Sequence, residues 1–163
     1  MTALTHAVSV QYPMVATFAF GVADTMKTTA GVSTLIAKVD GIYAVIPLPY
    51  GAQVIGGAFT VLTASNDSGT HTVKIGDSVN DDRYSKNTTI DLKTAGATSL
   101  PADVGTVLSY VGYQSLGESI QLTFAAGTED ATAGSYILQV MYIVSGRQNE
   151  NAKIAAPLGY LNG

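Results

Sequence analysis

The chain has 163 residues, of which 47% are hydrophobic and only 12% are charged, and its formal net charge is −4. Soluble domains carry about 25% charged residues, so we predict a surface made largely of Thr, Ser and Ala, as in a protein that packs against other subunits. Eight Lys and Arg residues without a basic stripe argue against nucleic-acid binding, and the lack of cysteine excludes disulfides and thiol chemistry. The alternative is a plain all-β domain with Thr-rich exposed strands.

The N-terminal segment, residues 1–31, is predicted to be an arm followed by a linker. Apolar and polar residues alternate over 7–20, but Pro13 lacks an amide donor, so this stretch is either an edge strand or an extended arm. Residues 21–31 are small and weakly patterned, which is typical of a linker.

Targeting signals are not expected. No Lys or Arg precedes Lys27, so the chain lacks the basic region that begins a signal peptide. No apolar run approaches the roughly 20 residues that cross a bilayer. We therefore expect synthesis in the cytosol and delivery by assembly.

Residues 32–147 are predicted to form an antiparallel, all-β sandwich of about eight strands, like a jelly roll. The reason is that apolar and polar residues alternate with period two, and Gly, Asn, Asp or Pro interrupts them about every ten residues. The segments 42–63 and 134–150 are expected to supply the opening and closing strands. The predicted strands further include 32–38, 52–63, 70–76, 84–93, 105–111, 118–125 and 135–144. Loops are predicted at 76–83 and 127–134, and a loop or a single helical turn at 94–103.

Two local features refine the predicted strands. Gly56 and Gly57 in the middle of 52–63 indicate a bulge or a sharp bend. The strand 135–144 is apolar on both faces, and such a strand needs a cover on each side. If the partner sheet covers one face, a neighbouring subunit is expected to cover the other.

The C-terminal stretch, residues 148–163, lacks strand alternation and is predicted to be an extended arm. Its apolar residues are spaced like anchors for another chain. Together with two aromatic residues of the N-terminal segment they make up the predicted partner interface: Ile154, Pro157, Leu158, Tyr160, Leu161, Tyr12 and Phe18.

Catalysis is not indicated, and we predict no catalytic, cofactor or metal site. The chain has two histidines and no Gly-x-Ser-x-Gly elbow. His71 alternates with Val73 and Ile75, which favours a structural histidine at a strand end. The loop acids Asp77, Asp81 and Asp82 could bind calcium, but Arg83 beside them favours a solvated turn.

Tyrosines offer a weaker signal. Tyr43, Tyr50, Tyr84 and Tyr113 fall near strand ends or loops, where they could contact a partner or a glycan.

Four blocks resemble head decoration, or cement, proteins of tailed bacteriophages. They share a Pro-Leu-Pro corner, an Ile-Gly-Asp loop ending in Arg-Tyr, and a valine-rich last strand closing with Gly-Arg. The blocks are IPLPYGAQVIGGAFTV (46–61), TVKIGDSVNDDRY (72–84), DLKTAGATSL (91–100) and YILQVMYIVSGRQNE (136–150).

This resemblance implies a non-enzymatic protein on the outer capsid surface, made in the bacterial cytoplasm, with the major capsid protein as partner and a homotrimer as oligomer. The arm before residue 32 and the tail after Glu150 fall outside the resemblance. Three alternatives stay open: a fibre or glycan-binding module that uses Tyr84 and Asp82, a small hydrolase, and a jelly-roll shell subunit.

Overall fold

The computed structural model describes residues 12–85, 89–100 and 113–144. These residues form ten β-strands, and no described residue lies in a helix that could cross a membrane. The strands are β1 (Met14–Gly21), β2 (Thr25–Lys27), β3 (Ser33–Leu35), β4 (Gly41–Pro47), β5 (Ala52–Thr63), β6 (His71–Gly76), β7 (Ile90–Asp91), β8 (Gly96–Leu100), β9 (Ser119–Ala126) and β10 (Ser135–Val144).

Eight of these strands form two antiparallel four-stranded sheets, with the orders β1-β10-β5-β8 and β4-β9-β6-β7, and β2 and β3 form a separate hairpin. When the eight strands outside the hairpin are counted in chain order, one sheet has the order 1-8-3-6 and the other has the order 2-7-4-5. This alternation of distant strands is the double Greek key of a jelly roll. The predicted all-β antiparallel sandwich is therefore confirmed.

The core lies between the two sheets, because period-two alternation turns one side of every strand inward. Val73 and Ile75 of β6, and Ile120 and Leu122 of β9, have no exposed surface. An aromatic cluster joins the sheets: Phe20 of β1 lies 5.9 Å from the ring of Phe124 of β9. The strand predicted over 118–125 is thus present as β9, and its Ile120, Leu122 and Phe124 face inward.

The two longest strands, β5 and β10, have the predicted bounds, but the sequence did not predict that they pair with each other. β5 and β10 span 52–63 and 135–144, as expected, and they are hydrogen-bonded neighbours. The segment 42–63 is not one strand: β4 and β5 belong to different sheets.

Two predictions in the middle of the chain are wrong. Among the described residues of the strand expected over 84–93, only those of β7 form a strand. The amides of Tyr84 and Ser85 both donate to the Ile75 carbonyl and fold the start of this stretch into a turn. The loop expected over 94–103 contains β8, which pairs with β5. Its sequence GATSL has no apolar alternation, so only the neighbouring strand reveals it.

The structure decides between the edge strand and the extended arm that the sequence left open for the N-terminal segment. Of the two interpretations of 7–20, the structure shows an edge strand over Met14–Gly21, so a strand of the sandwich lies within the segment assigned to the arm and linker. The stretch 32–38 contributes only the three residues of β3, and β2 lies within the expected linker 21–31. The strand predicted at 105–111 lies outside the described residues.

Candidate functional site

The outer face of the β1-β10-β5-β8 sheet combines exposed apolar side chains with a complete lack of charge. The strand registers place alternate residues of neighbouring strands on this side. We call this surface the β10 face, and it consists of Val15, Thr17, Ala19, Ile137, Gln139, Met141, Ile143, Ile55, Ala58, Thr60, Leu62, Ala97 and Ser99. None of the four strands contains a charged residue on either side.

Four large hydrophobic residues of the β10 face are open to solvent. The exposed fractions are 61% for Val15, 57% for Leu62, and 40% for both Ile55 and Met141. Folding alone does not bury these side chains, so they are available to a partner. The prediction that the chain itself leaves one face of strand 135–144 uncovered agrees with this burial pattern.

The opposite outer face, on the β4-β9-β6-β7 sheet, carries charges. Lys74 of β6 forms an ion pair with Asp81, with 2.9 Å between Nζ and Oδ2. Asp91 of β7 is exposed and accepts a hydrogen bond from the Thr94 hydroxyl. The lack of charge therefore distinguishes the β10 face from the other sheet.

A bulge in β5 shapes the β10 face and explains the two adjacent glycines. The register between β10 and β5 shifts between Met141 and Tyr142, next to Gly56 and Gly57. A Cβ at Gly57 would lie 2.2 Å from the carbonyl oxygen of Gln139. Glycine therefore allows the two strands to approach, and the predicted bulge is confirmed.

At one end of the sandwich, a buried ion pair holds the loop between β6 and β7. The Arg83 guanidinium donates to the Asp77 carboxylate, and the two side chains are only 10% and 1% exposed. Asp77 Oδ1 also accepts from the amides of Val79 and Asn80, both at 2.9 Å. Asp77 is thus engaged by Arg83 and by its own loop, and the described residues contain no group of three or more metal-ligating acids, histidines or cysteines.

The same end is extended by Tyr113 and Glu118. The Arg83 guanidinium lies 3.6 Å from the centre of the Tyr113 ring, and the Tyr113 hydroxyl donates to Glu118 at 2.9 Å. Burial raises the pKa of the Glu118 carboxyl, but hydrogen bonds from Tyr113, Leu116 and Ser115 outweigh it, so this pKa lies below its ordinary value. The arrangement ties two loops together and leaves Leu116 68% exposed at its surface.

At the other end of the sandwich, His71 is a buried structural residue. Its Nδ1 atom lies 2.6 Å from the Ser65 hydroxyl, and neither side chain is accessible: His71 is 0% and Ser65 6% exposed. Burial lowers the pKa of His71 below 6.5, while the Asp67 charge acts in the opposite direction. Because the imidazole and the hydroxyl beside it are enclosed, this pair cannot meet a substrate in solution.

The structure separates the predicted interface residues. Tyr12 is 61% exposed just before β1, whereas Phe18 faces the core side and stacks on Phe20 with 5.1 Å between ring centres. The other predicted interface residues, all within 148–163, lie outside the described residues.

The tyrosine prediction needs correction, because two of the four tyrosines face the core. Tyr43 and Tyr84 are 0% and 3% exposed, so neither can contact a glycan or a partner. Tyr50 is 74% exposed and stays available. Val15, Ile55 and Leu62 were not predicted as surface residues, although the strands that carry them, β1 and β5, contain no charged residue.

No family model and no curated protein matches the chain. Its structural neighbours are phage capsid proteins. A chain in the capsid asymmetric unit of cyanophage Pam1 aligns with a TM-score of 0.53 and 18% identity, over 88% of this chain and 92% of that one. A chain in the capsid of Ralstonia phage GP4 aligns with a TM-score of 0.52 and 15% identity, over 91% and 93%. This chain therefore shares its fold with proteins found in phage capsids.

Proposed function

We propose that the chain is a non-enzymatic structural protein of a bacteriophage virion. It binds the outer capsid surface and stabilises the head by bridging neighbouring capsid subunits. The observation that carries the proposal is the uncharged β10 face, and the fold shared with proteins of two phage capsids supports it.

The physical mechanism is hydrophobic association. Complete burial of a large aliphatic side chain contributes about 1.5–3 kcal/mol, and Val15, Leu62, Ile55 and Met141 keep between 40% and 61% of their surface exposed. Covering them would supply about 1 kcal/mol each by the same measure. Many copies on one shell add such modest contacts by effective concentration.

The predicted arms would extend this attachment. Met14 pairs with Tyr142, and Val144 pairs with Ala52, so the described ends of the chain lie at the same end of the sheet. Residues 148–163, with their apolar anchors, would reach across to a neighbouring capsid subunit. The trimer implied by the family resemblance would repeat this contact around a lattice junction.

The non-enzymatic assignment rests on the enclosed polar groups. Ser65 and His71 form the hydrogen-bonded pair that most resembles a catalytic arrangement, and both are buried. The Asp77–Arg83 pair is equally enclosed. These contacts stabilise loops and leave no reactive side chain of either pair at the surface.

The test is binding of the purified protein to capsids prepared without it. Leu62→Lys places a charge on the β10 face and should reduce occupancy by at least about tenfold, because burying an unpaired charge is costly. Ile42→Lys is the matched control, since Ile42 is 39% exposed on the outer face of the other sheet. A wild-type protein that does not bind capsids, or an electron-microscopy map that places it only at the tail or a fibre tip, would overturn the proposal.

A further inference from the structure

Four residues that meet at one end of the sandwich are held together by hydrogen bonds around a buried imidazole. The Ser65 amide donates to the Leu92 carbonyl at 2.8 Å, and the Leu92 amide donates to the His71 carbonyl at 2.9 Å. The Asp67 amide donates to the Ser65 hydroxyl oxygen at 3.1 Å. All four residues are at least 94% buried, and we call them the His71 cluster.

The Ser65 hydroxyl determines which nitrogen of the neutral imidazole carries the proton. Its oxygen already accepts from the Asp67 amide, and it lies 2.6 Å from His71 Nδ1. The single hydroxyl proton is therefore available to Nδ1. This arrangement favours the neutral ring with its proton on Nε2, because the hydrogen bond at one nitrogen sets the state of the other.

The His71 cluster also connects two loops at this end. Asp67 lies between β5 and β6, and its Oδ1 atom accepts from the hydroxyl of Thr128 at 2.8 Å. Thr128 lies between β9 and β10. A loss of the contact between His71 and Ser65 would therefore loosen both loops.

Protonation of His71 is incompatible with this arrangement. It converts Nδ1 from an acceptor into a donor, so the Ser65 hydroxyl would have to turn its own proton away. Nε2 is buried as well and makes no hydrogen bond with a described residue, so no acceptor there offsets the new charge. An enclosed charge without a partner is costly, and opening of the loops would let water reach the ring.

The groups around the imidazole do not reverse this preference. Burial has the largest effect and lowers the pKa of His71, while the charge of Asp67, the carbonyl of Ala37 and the charge of Asp91 act in the opposite direction. The charge of Lys93 also lowers this pKa. The folded protein therefore prefers the neutral ring more strongly than the unfolded chain does.

We propose that the His71 cluster is a pH-sensitive switch: protonation of His71 below neutral pH opens this end of the sandwich while the two sheets stay assembled. The opening is local because the cluster lies in loops and beside the two-residue strand β7, whereas β10 pairs along its ten residues with β5. Regions with few strand contacts open at a lower free energy than the whole domain. The switch does not depend on what the β10 face binds, so its failure would leave the proposed function intact.

Hydrogen exchange of the full-length protein tests the switch at about pH 7.5 and about pH 5, the range in which histidine titrates. After correction for intrinsic exchange rates, protection of the Asp67 and Leu92 amides should fall at least about tenfold at the lower pH. The internal reference is the opposite end, where the Gly51 and Ser115 amides donate at 2.7 Å to the carbonyls of Ser115 and Ala52. These reference amides should keep their protection. Any result other than a selective loss in the His71 cluster would overturn the proposal.

The His71→Asn variant separates the imidazole from other effects of acid. Its side-chain oxygen can accept from the Ser65 hydroxyl as Nδ1 does, but the amide does not titrate. The selective loss of protection should therefore disappear, and a variant that keeps it would refute the switch.

An NMR titration of the wild-type imidazole gives a second measurement that needs no variant. The His71 ring should stay neutral below its ordinary pKa of 6.5 and become charged in the same pH range in which the cluster loses protection. A ring that becomes charged while the Asp67 and Leu92 amides keep their protection would show that the closed cluster accepts the proton, which contradicts the proposal.

Discussion

Removing Arg83 should destabilise the sandwich strongly, because it leaves the Asp77 carboxylate buried without its cation. The Asp77 side chain is 1% exposed, and after an Arg83→Met substitution the loop amides of Val79 and Asn80 would remain as its donors. Breaking a buried ion pair by removing one partner costs about 3–5 kcal/mol. A domain of this kind has a total stability of about 5–15 kcal/mol, so the loss is a large share of it.

Equilibrium denaturation in urea measures the effect as a shift of the midpoint at constant slope. The double variant Asp77→Asn with Arg83→Met removes both charges and keeps an amide oxygen for the loop hydrogen bonds. We expect it to be more stable than Arg83→Met alone. A surface control is Lys74→Met, which breaks the exposed ion pair with Asp81 and should cost less than about 1 kcal/mol.

Two results would contradict this reasoning. One is an Arg83→Met variant that loses no more stability than Lys74→Met. The other is a double variant that is less stable than Arg83→Met. Either would mean that the buried carboxylate does not depend on the guanidinium.

Three further outcomes are expected. Gly57→Ala should lower the unfolding free energy by about 1–3 kcal/mol in calorimetry, because its Cβ would meet the Gln139 carbonyl oxygen at 2.2 Å; an unchanged melting temperature would disprove the close approach. Burial lowers the pKa of His71 below 6.5, so the unfolded state binds the proton more readily than the folded state. The free energy of unfolding should therefore fall as pH decreases from about 6.5 towards the lowered folded-state pKa. His71→Asn should flatten this pH dependence, and an unchanged profile would exclude His71 as its source. Deleting residues 148–163 should leave the sandwich folded, as judged by circular dichroism, but release it from capsids, and full occupancy of the truncated protein would rule out the arm as an anchor.

Local alternation was sufficient to predict the strands with the strongest period-two pattern. The bounds of β5 and β10, the inward residues of β9 and the bulge at Gly56–Gly57 follow from residues that are close in sequence. The same signal failed for β8, whose small polar residues form a strand because β5 lies beside it. It also failed for Tyr84, where hydrogen bonds to Ile75 override a strand-like pattern.

The candidate site likewise combines features that local sequence predicts with features that depend on contacts between distant strands. The sequence by itself determined that the strands are apolar and almost free of charge, because composition and period two are local properties. Only the tertiary structure decided that β1, β5 and β10, which are distant in the chain, place Val15, Ile55, Leu62 and Met141 on one face, and that the loop after β6 folds Arg83 back onto Asp77. The physical reason is that strand pairing in a jelly roll joins residues far apart in the chain, and the energy of those contacts exists only after the sheets have formed.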